Sequence, residues 1–249
     1  MTGPVTVVGS YLSPYVRKVL ACLHLKEIPY RIDPIIPYFG DDEFTRLSPL
    51  RRVPVLIDDR VALSDSSAIC QYLEDSHPWP ALYPRNVAQR AWARWLEEYA
   101  DTRMGDVLIW GLYDQLVISP YVWGRQADAA LVERIVQHDI PEMLDYLESQ
   151  LPGAGFLFGE PGIADISIAV FFRNAAFARY RVDVQRWPRT AGFVDRVLGL
   201  ECLAQLQTFE TLMLRTPIAA QREALAKAGA PLTERTFGTS TPRRGLPRN

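Results

Sequence analysis

The stretch VTVVGSYLSPYVRKVLACLHL, residues 5–25, decides how the rest of the chain is read. Val5 to Val8 is a short β-branched run of the kind that makes a buried strand. Ser13 stands where a helix N-cap belongs. Pro14 follows at the first helical position, where a missing N–H costs nothing. Val16, Val19, Leu20 and Leu23 then recur at i, i+3, i+4 and i+7, one apolar helix face. A strand therefore turns through a short loop into a helix. A dithiol oxidoreductase would place Cys-x-x-Cys at such a junction. Here the two outer positions hold Ser13 and Val16, and the redox pair is missing. What remains is a hydroxyl at a helix N-terminus, and the question of what it serves.

Outward from that junction, Tyr30 to Asp33 reads as a second strand after Pro29. A loop, PIIPYFGDDEF (residues 34–44), follows, broken by prolines and Gly40. VPVLIDDRVALS (residues 53–64) reads as a hairpin with Asp58-Asp59-Arg60 at the turn. Ser64-Asp65-Ser66-Ser67 offers several N-caps ahead of Ala68, Ile69, Tyr72 and Leu73. The order is β-α-β, then β-β-α. At HPWPALYP, Pro78, Pro80 and Pro84 stop continued helix, so residues 78–84 read as an ordered linker. Beyond it the spacing is helical: residues 86–119, 128–151 with a kink expected at Pro141, 163–179, 188–198, 202–214 and 218–228. Gly229 and Pro231 are stop signals for the last. Residues 231–249, ending in ERTFGTSTPRRGLPRN, are polar and rich in Pro and Gly and read as a disordered tail. The expected domains are residues 1–77, α/β, and residues 85–230, all-α.

Composition excludes several functions. The chain has 249 residues, 48% of them hydrophobic, so a real core can be buried; its net charge of −2 gives no electrostatic reason to expect nucleic acid or an anionic membrane as partner. No apolar run approaches the roughly 20 residues that span a bilayer. The opening MTGPVTVVGS lacks the basic and apolar regions of a secretory signal. Cys22, Cys70 and Cys202 are scattered and odd in number, and His24, His77 and His138 do not cluster, so neither a disulfide framework nor a metal site is expected. A reducing cytoplasm fits this usage. Cys22 and Cys70 fall on apolar helix faces and read as small buried hydrophobes.

Four stretches, SPYVRKVL, RLSPLRRVPVLIDD, LSDSSAICQYLE and FLFGEPGIADISIA, resemble the glutathione transferase family in order and spacing, and the likeness extends to about residue 230. The resemblance implies a thioredoxin-like N-terminal domain, an all-helical C-terminal domain, glutathione as co-substrate and a homodimer. Three features would then handle glutathione. Asp65 and Ser66, at a helix start, would take the γ-glutamyl end: backbone N–H groups and the helix dipole favour its carboxylate, and Asp65 its ammonium. The family more often has Glu-Ser there. Val53-Pro54 resembles the family's cis-proline step, which would turn the Val53 backbone toward the cysteinyl moiety as in strand addition, with Arg52 beside it to meet a carboxylate. Ser13 would donate its hydroxyl to the sulfur. Each unit of pKa lowering needs about 1.4 kcal/mol of preference for the thiolate. One charge-assisted hydrogen bond, at about 1.5–3 kcal/mol, covers one or two units.

Serine cannot form a mixed disulfide, so such a site activates the thiol of glutathione instead of exchanging with it. Tyr11 and Tyr15 are rival hydroxyls, Tyr11 ahead. Tyr11 and Leu12 in the loop, with Trp110 and Tyr113 on the long helix, are the candidate walls for an apolar electrophile, Trp110, Tyr113 and Val117 sharing one helical face. Gly162-Ile163-Ala164-Asp165 stands where the family usually has a Ser/Thr-x-x-Asp capping box. Glycine there costs a few tenths of a kcal/mol at most, and Asp165 reads as structural. The competing reading is a non-catalytic transferase-like binding protein, such as a bacterial cell-division regulator, for which residues 108–124 and the basic tail would serve partners. A glutathione-dependent isomerase or dehalogenase would use the same thiolate.

Overall fold

The structure, a computed structural model, describes residues 4–243. They form two compact units: residues 4–80 with 201–243, and Ala81–Leu200. The first division falls at Pro80, inside the 78–84 segment read as a linker. The return of residues 201 onward to the first unit was not legible in the sequence, and it replaces the expected all-helical domain of residues 85–230 with a helical unit that ends at Leu200.

The first unit is built on a four-stranded sheet, β1 (Val5–Val8), β2 (Tyr30–Asp33), β3 (Val55–Ile57) and β4 (Ala62–Ser64), in the order β2-β1-β3-β4. β1 runs parallel to β2 and antiparallel to β3, and β3 is antiparallel to β4. Between β1 and β2 lies α1 (Pro14–Leu25), whose Val16, Val19, Leu20 and Leu23 are buried as their spacing requires. α3 (Ser66–Ser76) follows β4 and packs against α1. There Cys22 Sγ and Cys70 Sγ meet at 3.4 Å, both buried. A six-residue helix, α2 (Asp42–Leu47), stands where the sequence suggested only loop. Asp41 caps it by accepting the Phe44 N–H at 2.7 Å, and Phe44 is fully buried. Such a helix is too short for a periodic signal, so its cap was the only legible trace.

The second unit is all helical. α4 (Val87–Tyr99) continues without a break through Ala100–Ile118 into α5 (Ser119–Trp123). Through Ala100–Ile118 the backbone bonds i→i+5 instead of i→i+4. α6 (Ala129–Arg134), a second i→i+5 stretch (Ile135–Asp139) and α7 (Ile140–Gln150) form the next rod. At Pro141, where a kink is expected, the backbone widens to i→i+5 bonding just before the proline, whose ring cannot continue the normal ladder. α8 (Ile163–Phe177) is buried from Ile163 to Ala175 and packs on α4, its continuation and α9 (Pro188–Leu198). A helix buried on every side and mostly apolar must be central. Burying each of its large aliphatic side chains contributes about 1.5–3 kcal/mol.

Asp165 caps α8. Its carboxylate accepts the Leu157 N–H at 2.9 Å and the Gly162 N–H at 3.0 Å. Burial pushes its pKa up, partly offset by those bonds. Gly162 is more than a cheap substitute for serine. A Cβ there would lie 2.8 Å from the Leu82 carbonyl oxygen, which accepts the Ile163 N–H at 2.9 Å.

Residues 201–227 supply three further helices of the first unit: α10 (Glu201–Ala204), α11 (Gln207–Arg215) and α12 (Ile218–Lys227). The single helix expected over 202–214 is interrupted between Ala204 and Gln207. Residues 231–243, expected to be disordered, are instead hydrogen-bonded along β2 and the loop after it. The physical reason is that β2 is an edge strand whose free backbone groups seek partners, and polar composition alone does not register such an edge. Residues 244–249 of the expected tail lie outside the described residues. Among the described residues, no helix is long and apolar enough to cross a membrane.

Candidate functional site

Sheet register gathers the predicted ligand-binding segments of the first unit. Asp33, Val8, Val55 and Ser64 are successive partners across the four strands. The chain leaves this row at one end of the sheet in three places. Residues 9–13 lead from β1 to α1, residues 52–54 enter β3, and Asp65-Ser66 leads from β4 into α3. Ser13, Val53, Pro54, Asp65 and Ser66 are thereby brought to a common edge by backbone pairing alone.

Ser13 is the N-cap of α1, with φ −81° and ψ 127°. Its Oγ accepts the Val16 N–H over a long 3.4 Å. A hydroxyl that accepts keeps its own proton to donate. The side chain is half-buried, and the twelve-residue helix directs its positive end toward it. Gly9 sets the loop's shape. Its φ is +149°, and a Cβ there would come within 2.5 Å of Val16 Cγ2 and 2.9 Å of Val53 Cβ. The absence of a side chain at Gly9 is what lets α1 and the Val53 segment approach each other.

The Val53-Pro54 bond is cis, as the resemblance implied. Among the described residues, the Val53 N–H and C=O take part in no hydrogen bond. An unused donor and acceptor on one residue is what an added strand requires. The approach to Val53 is clipped by Ser48, fully buried, which accepts the Arg52 N–H at 2.9 Å and donates to the Arg52 C=O at 2.8 Å. Arg52 itself points its side chain into solvent. Asp65 is exposed and caps α3, accepting the Ala68 N–H at 2.9 Å. Ser66, the first helical residue, is buried.

Sequence reasoning missed Arg17 and Lys18. Adjacent cations beside an apolar face normally point outward, yet both side chains are fully buried. Lys18 Nζ donates to Ser67 Oγ at 3.2 Å, so a cation of α1 lies under the first turn of α3. Arg17 Nε pairs with Glu210 of α11 at 2.5 Å, and its guanidinium donates to the Tyr11 C=O at 3.4 Å. Ser10 Oγ donates to Met213 Sδ at 3.7 Å, again on α11. The only available signal was the unusual weight of apolar residues around two charges.

Tyr11 is corrected by the structure. It is 1% exposed, and its ring lies 5.0 Å from that of Phe209. Its hydroxyl is buried beside Tyr30, and burial pushes both phenols up. It neither rivals Ser13 as a donor to a ligand nor offers a free wall. Leu12 is half-buried in the same loop. Trp110 is half-buried and Tyr113 buried, both in the second unit. Their expected shared face assumed α-helical winding. In an i→i+5 ladder residues three and seven apart no longer stack. Among the described residues, no group of three His, Cys, Asp or Glu could hold a metal ion.

Two family models match the chain: the N-terminal domain of glutathione S-transferase over residues 7–81 and its C-terminal domain over residues 129–196. The uncharacterized GST-like protein YibF of Escherichia coli (strain K12) is 30% identical over 208 residues, 81% of this chain and 97% of that one. Maleylacetoacetate isomerase of Rattus norvegicus is 26% identical over 189 residues, 74% and 83%. A glutathione S-transferase of Methylobacterium radiotolerans, solved in complex with glutathione sulfonate, superposes with a TM-score of 0.67 at 23% identity, covering 82% of this chain and 94% of that one.

Proposed function

Because this chain belongs to the glutathione transferase family, we propose that it binds glutathione at the 9–13, 52–54 and 65–66 edge and activates its thiol at Ser13. A glutathione-dependent enzyme is what membership supports at a coarse level; the residue roles are our reading. The observation that carries it is the register row, which brings a helix-capping hydroxyl, an unpaired backbone donor and acceptor, and a second helix start to one end of the sheet.

In this reading the α3 N-terminus and Ser66 take the γ-glutamyl carboxylate, and Asp65 pairs with the neighbouring ammonium. The Val53 backbone pairs with the cysteinyl backbone, and Arg52 reaches a carboxylate from its exposed position. The sulfur proton leaves to solvent. The Ser13 hydroxyl donates to the thiolate, which the α1 dipole also favours. The sulfur lone pair then forms an S–C bond to a small apolar electrophile. A leaving group departs with the displaced electron pair, or a proton from water completes an addition. The likeness to maleylacetoacetate isomerase supports a variant in which the S–C bond is broken again after rotation about the substrate's carbon–carbon bond.

Ser13→Ala tests the assignment. The pKa of bound glutathione should rise by about one to two units, read as thiolate absorbance against pH. Because less thiolate is then present at neutral pH, turnover should fall about tenfold. Binding should change far less. An unmoved titration reduces Ser13 to a helix cap. Failure of the chain to be retained on immobilised glutathione would favour the non-catalytic binding protein.

Homodimer formation is part of the proposal. Trp92 is 44% exposed and Trp95 47% exposed on α4, more apolar surface than an isolated helix leaves in water without reason. Light scattering at micromolar concentration should give twice the chain mass, and a monomer would refute this.

A further inference from the structure

We propose that residues 231–243 are a positioning strap for the tripeptide site, holding the loop after β2 so that the Arg52-Val53-Pro54 step is preset for glutathione. The inference rests on the glutathione reading above.

The strap starts at the sheet edge. Ile32 N–H donates to the Pro231 C=O at 2.8 Å and Thr233 N–H to the Ile32 C=O at 3.1 Å, a parallel bridge on the open side of β2. Next comes Asp33, whose side chain is fully buried. Its Oδ1 accepts from Arg222 at 2.9 Å, and its Oδ2 accepts from Thr236 Oγ1 at 3.1 Å and from the Phe237 N–H at 2.7 Å. The Asp33 C=O accepts the Gly9 N–H at 2.9 Å. One residue therefore grips the strap with its side chain and the start of the Ser13 loop with its backbone.

Beyond Asp33, among the described residues, the strap's bonds to other segments go to the loop or to α2. The Asp41 N–H donates to the Phe237 C=O at 2.8 Å, Thr239 N–H to the Phe39 C=O at 2.6 Å, and Arg243 N–H to the Tyr38 C=O at 2.6 Å. Arg243 also pairs with Asp42 at 2.5 Å, and Arg235 pairs with Glu43. The loop is in turn tied to the tripeptide site by Arg51, which donates to the Gly40 C=O at 2.9 Å, the Pro37 C=O at 3.3 Å and Thr45 Oγ1 at 2.5 Å. Arg52 and Val53 follow it directly. Protection of an exposed edge would need only the Ile32 bridge. The further bonds run away from the edge, toward the segment that must be ordered for a ligand to pair with it. Ordering that segment beforehand removes a cost from binding.

The test compares the full chain with chains ending at Glu234 and at Ala230. The first keeps the Ile32 bridge and loses the Asp33, loop and α2 contacts, and circular dichroism checks that each is folded. Calorimetry with glutathione should give a dissociation constant raised about tenfold in the chain ending at Glu234, with the pKa of the bound thiol unmoved. An unchanged dissociation constant in that folded chain would overturn the proposal and leave edge protection only. A thiol pKa that moves with affinity would also overturn it, by placing the effect on Ser13. Should both shortened chains unfold, hydrogen exchange on the full chain decides. Glutathione should slow exchange in residues 34–42 and 231–243 together, and slowing confined to residues near 53 and 65 would refute the strap. An intact chain that binds no glutathione refutes the site reading first, and the strap's role with it.

Discussion

In the first unit two buried ion pairs reach far along the chain; in the second the buried carboxylate of Asp165 caps its own helix. Arg17 pairs with Glu210, 193 residues away, and Asp33 with Arg222, 189 away. In the second unit Asp165 holds backbone groups only three and eight residues back, and Glu97 accepts the Tyr83 hydroxyl at 2.8 Å across fourteen residues. The second unit packs around the buried helix α8, and Asp165 at its start serves a local turn. The first unit must bring back a remote segment and seat it against the Ser13 loop, where α11 touches Tyr11, Ser10 and Arg17. Buried pairs are a poor source of net stability but a strong constraint on geometry once formed, because removing one partner strands the other.

That contrast can be broken by substitution, the largest effect falling on the long-range tie. Glu210→Ala leaves the Arg17 guanidinium in a site with no solvent exposure and should cost about 3–5 kcal/mol in denaturant unfolding. Replacing both members with Leu and Met should recover much of that loss. A single-variant cost below about 1 kcal/mol would mean the apolar contacts of α11 alone seat the segment. Asp165→Ala strands two backbone N–H groups and should cost about 2–4 kcal/mol. Its effect should be confined to the second unit, so glutathione retention by the folded variant should persist. A loss of retention in that variant would couple the two units. Smallest is the exposed i,i+4 pair Glu223–Lys227 on α12, both side chains about three-quarters in solvent. Glu223→Ala should move the melting transition by no more than a change of about 0.5 kcal/mol, and a larger shift would show that surface charge also anchors the returning helices.

Much of the site was legible because it depends on local chemistry. Ser13 before Pro14 is a cap with a preset helical φ, and the apolar spacing of 16, 19, 20 and 23 leaves one way to orient the helix. Asp65 and Ser66 declare a second helix start in the same manner. The α2 helix was lost because six residues cannot show a period, and prolines 34 and 37 masked its cap. Tyr11 was misplaced because a tyrosine next to a loop serine looks available until Phe209 is known to lie on it. Arg17 and Lys18 were missed for the same reason: charge predicts exposure unless a partner arrives from elsewhere in the chain. The Trp110–Tyr113 face failed because side-chain identity does not report a change of winding from i→i+4 to i→i+5.

The sequence by itself determined the β-α-β, β-β-α order of the first unit, the strand-to-helix junction with its hydroxyl, and the helix starts at Pro14 and Ser66. Those follow from capping, periodicity and the lost proline donor, all set within a few residues. Only the tertiary structure decided that residues 201–243 complete the first unit, that Asp33 and Glu210 are buried anchors, and that Gly9 must lack a side chain for Val16 and Val53 to meet. Those depend on what lies across a sheet edge or a packed face, and a chain holds such neighbours from a few tens to nearly 200 positions away.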